Sequence, residues 1–160
     1  MRKYKDIIQY IVKNHPDPCS LSSARVSAIL YLIDWKSAME TGRQLTNLHW
    51  QTTPSGIKPQ GGLSAPFSSK EYKALPSCKF SSAEKDIMNH AIDSSARKGI
   101  TELISLANTT YPAFLQNRIG TVLNLDDIAK IYKARKSEIA WGSKLVSDQD
   151  WHSADTLRKF

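Results

Sequence analysis

The sequence predicts a mainly α fold: a single compact helical domain around a buried central helix at about 21–41, with a minor β-strand or hairpin element near 43–60. Three observations predict it. The stretch ARVSAILYLIDWKSAMETGRQL, from residue 24, is apolar on nearly every side, and a helix without a wet face is one that other elements cover. Helical spacing with end signals recurs on both sides of it. A strand-like rhythm stands out directly behind Gly42.

Helix one is expected over 3–14, with Ile7, Ile8, Ile11 and Val12 as its buried stripe. His15-Pro16-Asp17-Pro18 ends it, since each proline disfavours helix in the residue before it. Ser20 is placed to cap the central helix, and Gly42 to close it in a left-handed conformation. Residues 43–53, RQLTNLHWQTT, suit a strand through Leu45, Trp50 and the threonines. PSGIKPQGG then reads as a turn or exposed loop. Residues 63–79 are weakly patterned, with room for a short strand or one helical turn. Ser81 and Glu84 form a capping box for a helix carrying Ile87, Met88, Ala91 and Ile92, stopped by Gly99. Thr101 is placed to cap a short helix that Tyr111-Pro112 breaks. Residues 113–123 read as a helical turn and a loop around Gly120. Asn124 opens a long helix, acidic at Asp126 and Asp127 and basic near its end at Lys133, Arg135 and Lys136, as the helix dipole favours. A last helix is expected over 148–158.

Bulk properties narrow the function classes. The chain has 160 residues, enough for one core, and a net charge of +7. Residues 1–80 hold 11 basic and 5 acidic side chains, whereas 81–160 hold 11 and 10. Such asymmetry suits an acidic partner, or serves only solubility. No apolar run reaches the ~18–20 residues of a membrane span. The basic, then apolar N-terminus is interrupted by Asp6, Gln9 and Lys13, so it reads as an amphipathic helix of a cytoplasmic protein, not a secretion signal. Cys19 and Cys78 read as free thiols.

Chemistry-bearing patterns are sparse. His15, His49, His90 and His152 show no metal-ligand spacing with one another or with the cysteines. Ser55 lacks the strained elbow of a hydrolase nucleophile. Asp126-Asp127 is explained by the helix N-terminus, and the pairs Asp148/Asp150 and Asp17/Glu40 assign no acid and base roles. Ser55-Gly56-Ile57-Lys58 and Gly61-Gly62 lack the rest of a nucleotide loop. Lys130, Lys133, Arg135 and Lys136, followed by Trp141 and Trp151, could meet a nucleic-acid backbone, but acids dilute the patch and a solvated helix end explains it. The segment from Gly42 to Lys58 is the surface of interest. Arg43, His49, Trp50 and Lys58 stand there among prolines and glycines. Trp50 is either a recognition anchor or a plug that closes the core.

These residues resemble a known family. Arg25-Val26-Ser27-Ala28-Ile29-Leu30-Tyr31-Leu32-Ile33-Asp34-Trp35 resembles the leading helix of the Panacea domain, a SocA-like antitoxin family. Gly42-Arg43-Gln44-Leu45 is similar to the glycine-and-basic segment that follows there. Trp50 and Pro54-Ser55-Gly56-Ile57-Lys58-Pro59 sit at the place of its aromatic and its Gly-Pro-Val turn. Phe80-Ser81-Ser82-Ala83-Glu84-Lys85 and Ile100–Asn108 resemble its later helices. The likeness spans about residues 4–140. Ala28 replaces the usual lysine, Ile57 the proline, and Asn108 a common histidine.

The resemblance implies an antitoxin of a toxin–antitoxin or phage-defence pair, host-, prophage- or phage-encoded. It would neutralise a cognate protein toxin by direct binding, with no catalysis and no cofactor of its own. A proteolytic adaptor and a nucleic-acid-binding regulator are the alternatives. The partner-binding residues it suggests are Arg25, Arg43, His49, Trp50, Ser55, Gly56 and Lys58, facing a toxin with an acidic surface.

Overall fold

The computed structural model describes residues 1–63 and 68–142. The helix expected at 148–158, with Trp151, lies outside the described residues. The fold is mainly α with a minor antiparallel sheet, as predicted.

Helix α1 spans Tyr4–Asn14 and buries Ile7, Ile8, Ile11 and Val12, the stripe its spacing marks out. A 3₁₀ turn, Pro18–Ser20, leads to α2, Ser23–Thr41. The cap of α2 is Ser22, not Ser20: its hydroxyl accepts from the Arg25 N–H at 3.2 Å. Ser20 is held in the preceding turn, where its hydroxyl donates to the Asp17 carbonyl. Gly42 closes α2 at φ +80°, a conformation costly for any residue with a Cβ. Residues Ala28–Trp35 of α2 are all buried. Eight consecutive residues exceed two turns, so every face of that stretch is covered. The cover comes from α1 and the later helices α4 (Ser82–Ala96), α5 (Ile100–Asn108) and α7 (Leu125–Gly142).

The β element is shorter than 43–60. Residues 43–49 form no strand apart from a single bridge at Thr46, because their backbone is recruited by a side chain of α2. Strand β1 is Trp50–Thr53 and β2 is Gly56–Pro59. The second half of the proline-glycine stretch is thus a strand, with Thr53 opposite Gly56 and Trp50 opposite Pro59. Strand β3, Val122–Leu123, pairs on the other side of β1, giving the order β2-β1-β3.

The remaining elements refine the predicted boundaries. Helix α3 is Ser69–Ala74, the helical turn within the weakly patterned region. The capping box of α4 is present: Ser81 Oγ accepts from the Glu84 N–H and Glu84 Oε2 from the Ser81 N–H. Helix α4 ends at Ala96, before Gly99; Gly99 itself precedes α5, so Thr101 lies inside that helix and does not cap it. Helix α5 ends at Asn108, ahead of Tyr111-Pro112 as expected, and Tyr111-Pro112 then opens a further short helix, α6 (Tyr111–Leu115), because proline in a first turn has no N–H to lose. Asn124 caps α7, its Oδ1 accepting from the Asp127 N–H at 3.1 Å. Lys133, Arg135 and Lys136 fall mid-helix, since α7 continues to Gly142.

Candidate interaction cleft beside the hairpin

The site begins with a charge in the wrong place. Asp34 sits in the middle of α2's apolar run and is fully buried. Its Oδ1 accepts from the N–H groups of Leu45 (3.0 Å) and Thr46 (2.7 Å). Its Oδ2 accepts from Thr46 Oγ1 (2.5 Å) and from the Trp50 indole Nε1 (2.8 Å). Burial pushes the carboxyl up to about 6, while the four donors pull the other way by stabilising the anion. One side chain therefore replaces the strand ladder that 43–49 lacks and fixes how the chain enters the hairpin.

Trp50 is completed from the other side. Its ring meets Tyr31 edge to face at 5.4 Å between centroids. Tyr31 in turn shares a 2.6 Å hydrogen bond with Thr110, whose hydroxyl also reaches the Ala107 carbonyl. Burial holds the Tyr31 phenol far above its ordinary range. Of the two readings of Trp50, core plug and anchor, the structure selects the plug. The residue is 0 % exposed, so its ring cannot seat in a partner's pocket.

A cleft of about 590 Å³ opens where β2 faces the first half of α2 and the end of α5. Its apolar lining includes Ala28, Ile57, Leu63 and Ala107. Ser55, Gly56's neighbour on the turn, and Lys58 both line it and are exposed. Lys58 is its charged residue, and among the described residues it stands in no ion pair. Gly56 has φ +107°, and a Cβ there would lie 3.0 Å from Asn108 Oδ1. The hairpin thus lies directly against the end of α5.

The other predicted site residues separate. Arg43 and His49 are exposed but do not line the cleft. Arg25 is half-buried and points elsewhere: its Nη1 donates to the Lys98 carbonyl at 2.8 Å and the Ser95 carbonyl at 3.4 Å. It satisfies carbonyls at the C-terminal end of α4, a helix-capping role that serves packing. Sequence reasoning missed Asp34 as the organising residue, although a lone acid inside LIDW was a legible signal. It also missed Ser27 and Asn108 as cleft residues, for neither carries a mark before the helices are placed.

Among the described residues no group of His, Cys, Asp or Glu is arranged to hold a metal ion. No helix among them is long and apolar enough to cross a membrane. No family model, curated protein or solved structure matches the chain.

Proposed function

We propose that the chain is a Panacea-like antitoxin that neutralises a cognate protein toxin by direct contact in the cytoplasm, with no reaction at its own groups. One observation carries this reading. The 43–58 segment is locked from beneath by Asp34 and Trp50, while its outer side presents Arg43, His49, Ser55 and Lys58 to solvent. A pre-ordered, basic, solvent-facing segment suits protein recognition, because little entropy is lost when a partner docks. An acidic toxin surface would match it and be drawn to it. A stable complex would bury on the order of 1,200–2,000 Å².

The test is the reading frame beside the gene. It should be toxic when expressed alone and harmless with this chain, and the two proteins should co-purify. The double variant Arg43→Glu/Lys58→Glu, folded as judged by circular dichroism, should lose about tenfold or more in affinity. Full protection by that variant would overturn the assignment of the surface. A nucleic-acid regulator is the second reading, favoured by the exposed Lys133, Arg135 and Lys136 of α7. Phosphate-driven binding would fall steeply between low and moderate salt, whereas the buried protein interface changes less.

A further inference from the structure

We infer that the cleft is a strand-docking site: it takes an extended peptide segment of a partner, bearing an acidic side chain, as a fourth strand along the free edge of β2. The inference rests on the protein-binding reading above and names the mode of contact.

The edge is open by register. The Gln60 N–H donates to the His49 carbonyl at 2.7 Å, which makes 49/60, 51/58 and 53/56 the hydrogen-bonded pairs of the hairpin. Ile57 falls between them, so its N–H and C=O turn away from β1. Ile57 lines the cleft. Pro59, next but one on β2, has no N–H to give, and its carbonyl already accepts from the Gly62 N–H at 3.0 Å in the turn that follows. An incoming strand therefore finds its donor and its acceptor at Ile57, the one residue of β2 whose backbone pair faces outward with neither group engaged among the described residues. The proline blunts the edge beyond that point, which limits pairing to a short segment and discourages self-association.

The walls fit the same occupant. Strands pair about 4.8 Å apart, and the 590 Å³ space lies between β2 and the two helices. Its volume is within the ~300–1,000 Å³ usual for binding pockets. Ala28 and Ala107 keep the helical wall low, and their small side chains admit alternate apolar residues of a strand. Ser27 Oγ, also on that wall, is buried without a hydrogen-bond partner among the described residues. Lys58 supplies the cleft's charge, and among the described residues no acidic one lines it, so an acidic side chain is the complement.

The probe is a phage-displayed library of random dodecapeptides selected on the full chain, followed by one synthetic enriched peptide. Enriched sequences should alternate apolar residues around an Asp or Glu. The synthetic peptide should slow exchange of the Ile57 amide at least about tenfold, and Lys58→Glu should weaken it by about tenfold or more. Failure of any peptide to enrich, an Ile57 amide that exchanges unchanged in the complex, or indifference to Lys58→Glu would each overturn the site. The two readings fail separately. Neutralisation by a chain whose Ile57 amide stays unprotected sinks the cleft and leaves the antitoxin standing. Peptide capture by a chain that neutralises no neighbouring product does the reverse.

Discussion

Asp34 shows how one residue can set the course of a segment that begins eleven residues later. Four donors converge on it, so its replacement by asparagine turns an amide N–H toward the Trp50 indole N–H and the Thr46 hydroxyl. Asp34→Asn should destabilise the protein by about 1–3 kcal/mol, the usual cost of an orphaned buried polar group, measured by urea unfolding at neutral pH. Titration gives a second signature. The folded carboxyl ionises at about 6 against an ordinary 3.8, so the fold disfavours the anion. Its contribution to stability is complete below about pH 4 and declines as pH rises to about 6. Glu84 behaves oppositely. Arg2 grips both its oxygens, at 2.8 and 2.9 Å, and with the Ser81 N–H holds its carboxyl at about 2. That stability is present above about pH 4.5 and is lost as pH falls toward 2. Urea midpoints across this range should show the decline above pH 4 abolished in Asp34→Asn, and the acid loss abolished in Glu84→Gln. Midpoints of the two variants that track the parent over the whole range would contradict both assignments.

Two glycines separate backbone strain from crowding at the scale of the element. Gly42 and Gly56 both have positive φ, yet a Cβ on Gly42 meets nothing within 4 Å, whereas one on Gly56 meets Asn108. Gly42→Ala should cost about 1 kcal/mol, from conformation alone. Gly56→Ala should cost more, about 1–2 kcal/mol. Asn108 is exposed and its amide can swing aside. Adding Asn108→Ala should therefore recover only a few tenths of that loss in a double-mutant cycle. The helices were largely legible before any coordinates, because a stripe such as Ile7, Ile8, Ile11 and Val12 or a Ser81/Glu84 box is a local signal. Gly42 was legible for the same reason. The 43–49 segment was not. Its alternation resembles a strand, but what decides its path is a carboxylate eleven and twelve residues earlier in sequence. The hairpin's second strand hid behind Pro54, Gly56 and Pro59, which suggest a loop when edge pairing is invisible. Of the seven proposed contact residues, sequence alone could not tell that Trp50 faces inward or that Arg25 is spent on the end of α4.

The molecule as a whole is a helical body with a small sheet at one side, and its charge belongs to the same scale. Because the excess of basic residues lies in residues 1–80, association with an acidic protein should slow as salt rises while dissociation changes little. Stopped-flow mixing with the neighbouring gene product checks this, and salt-independent association would count against electrostatic capture. One feature of the sheet reaches further. Thr52 binds β3's approach on both backbone groups, its N–H donating to the Thr121 carbonyl and its carbonyl accepting from the Gly120 N–H, while its hydroxyl holds the Gln116 carbonyl. The 116–121 segment, with Ile119 67 % exposed and Phe114 just before it 76 % exposed, is thereby stapled to the hairpin. The two should unfasten together as one cooperative unit, below the energy of global unfolding. A mass touching Phe114 would then be felt at the opposite rim of the sheet as a change in how often that unit breathes.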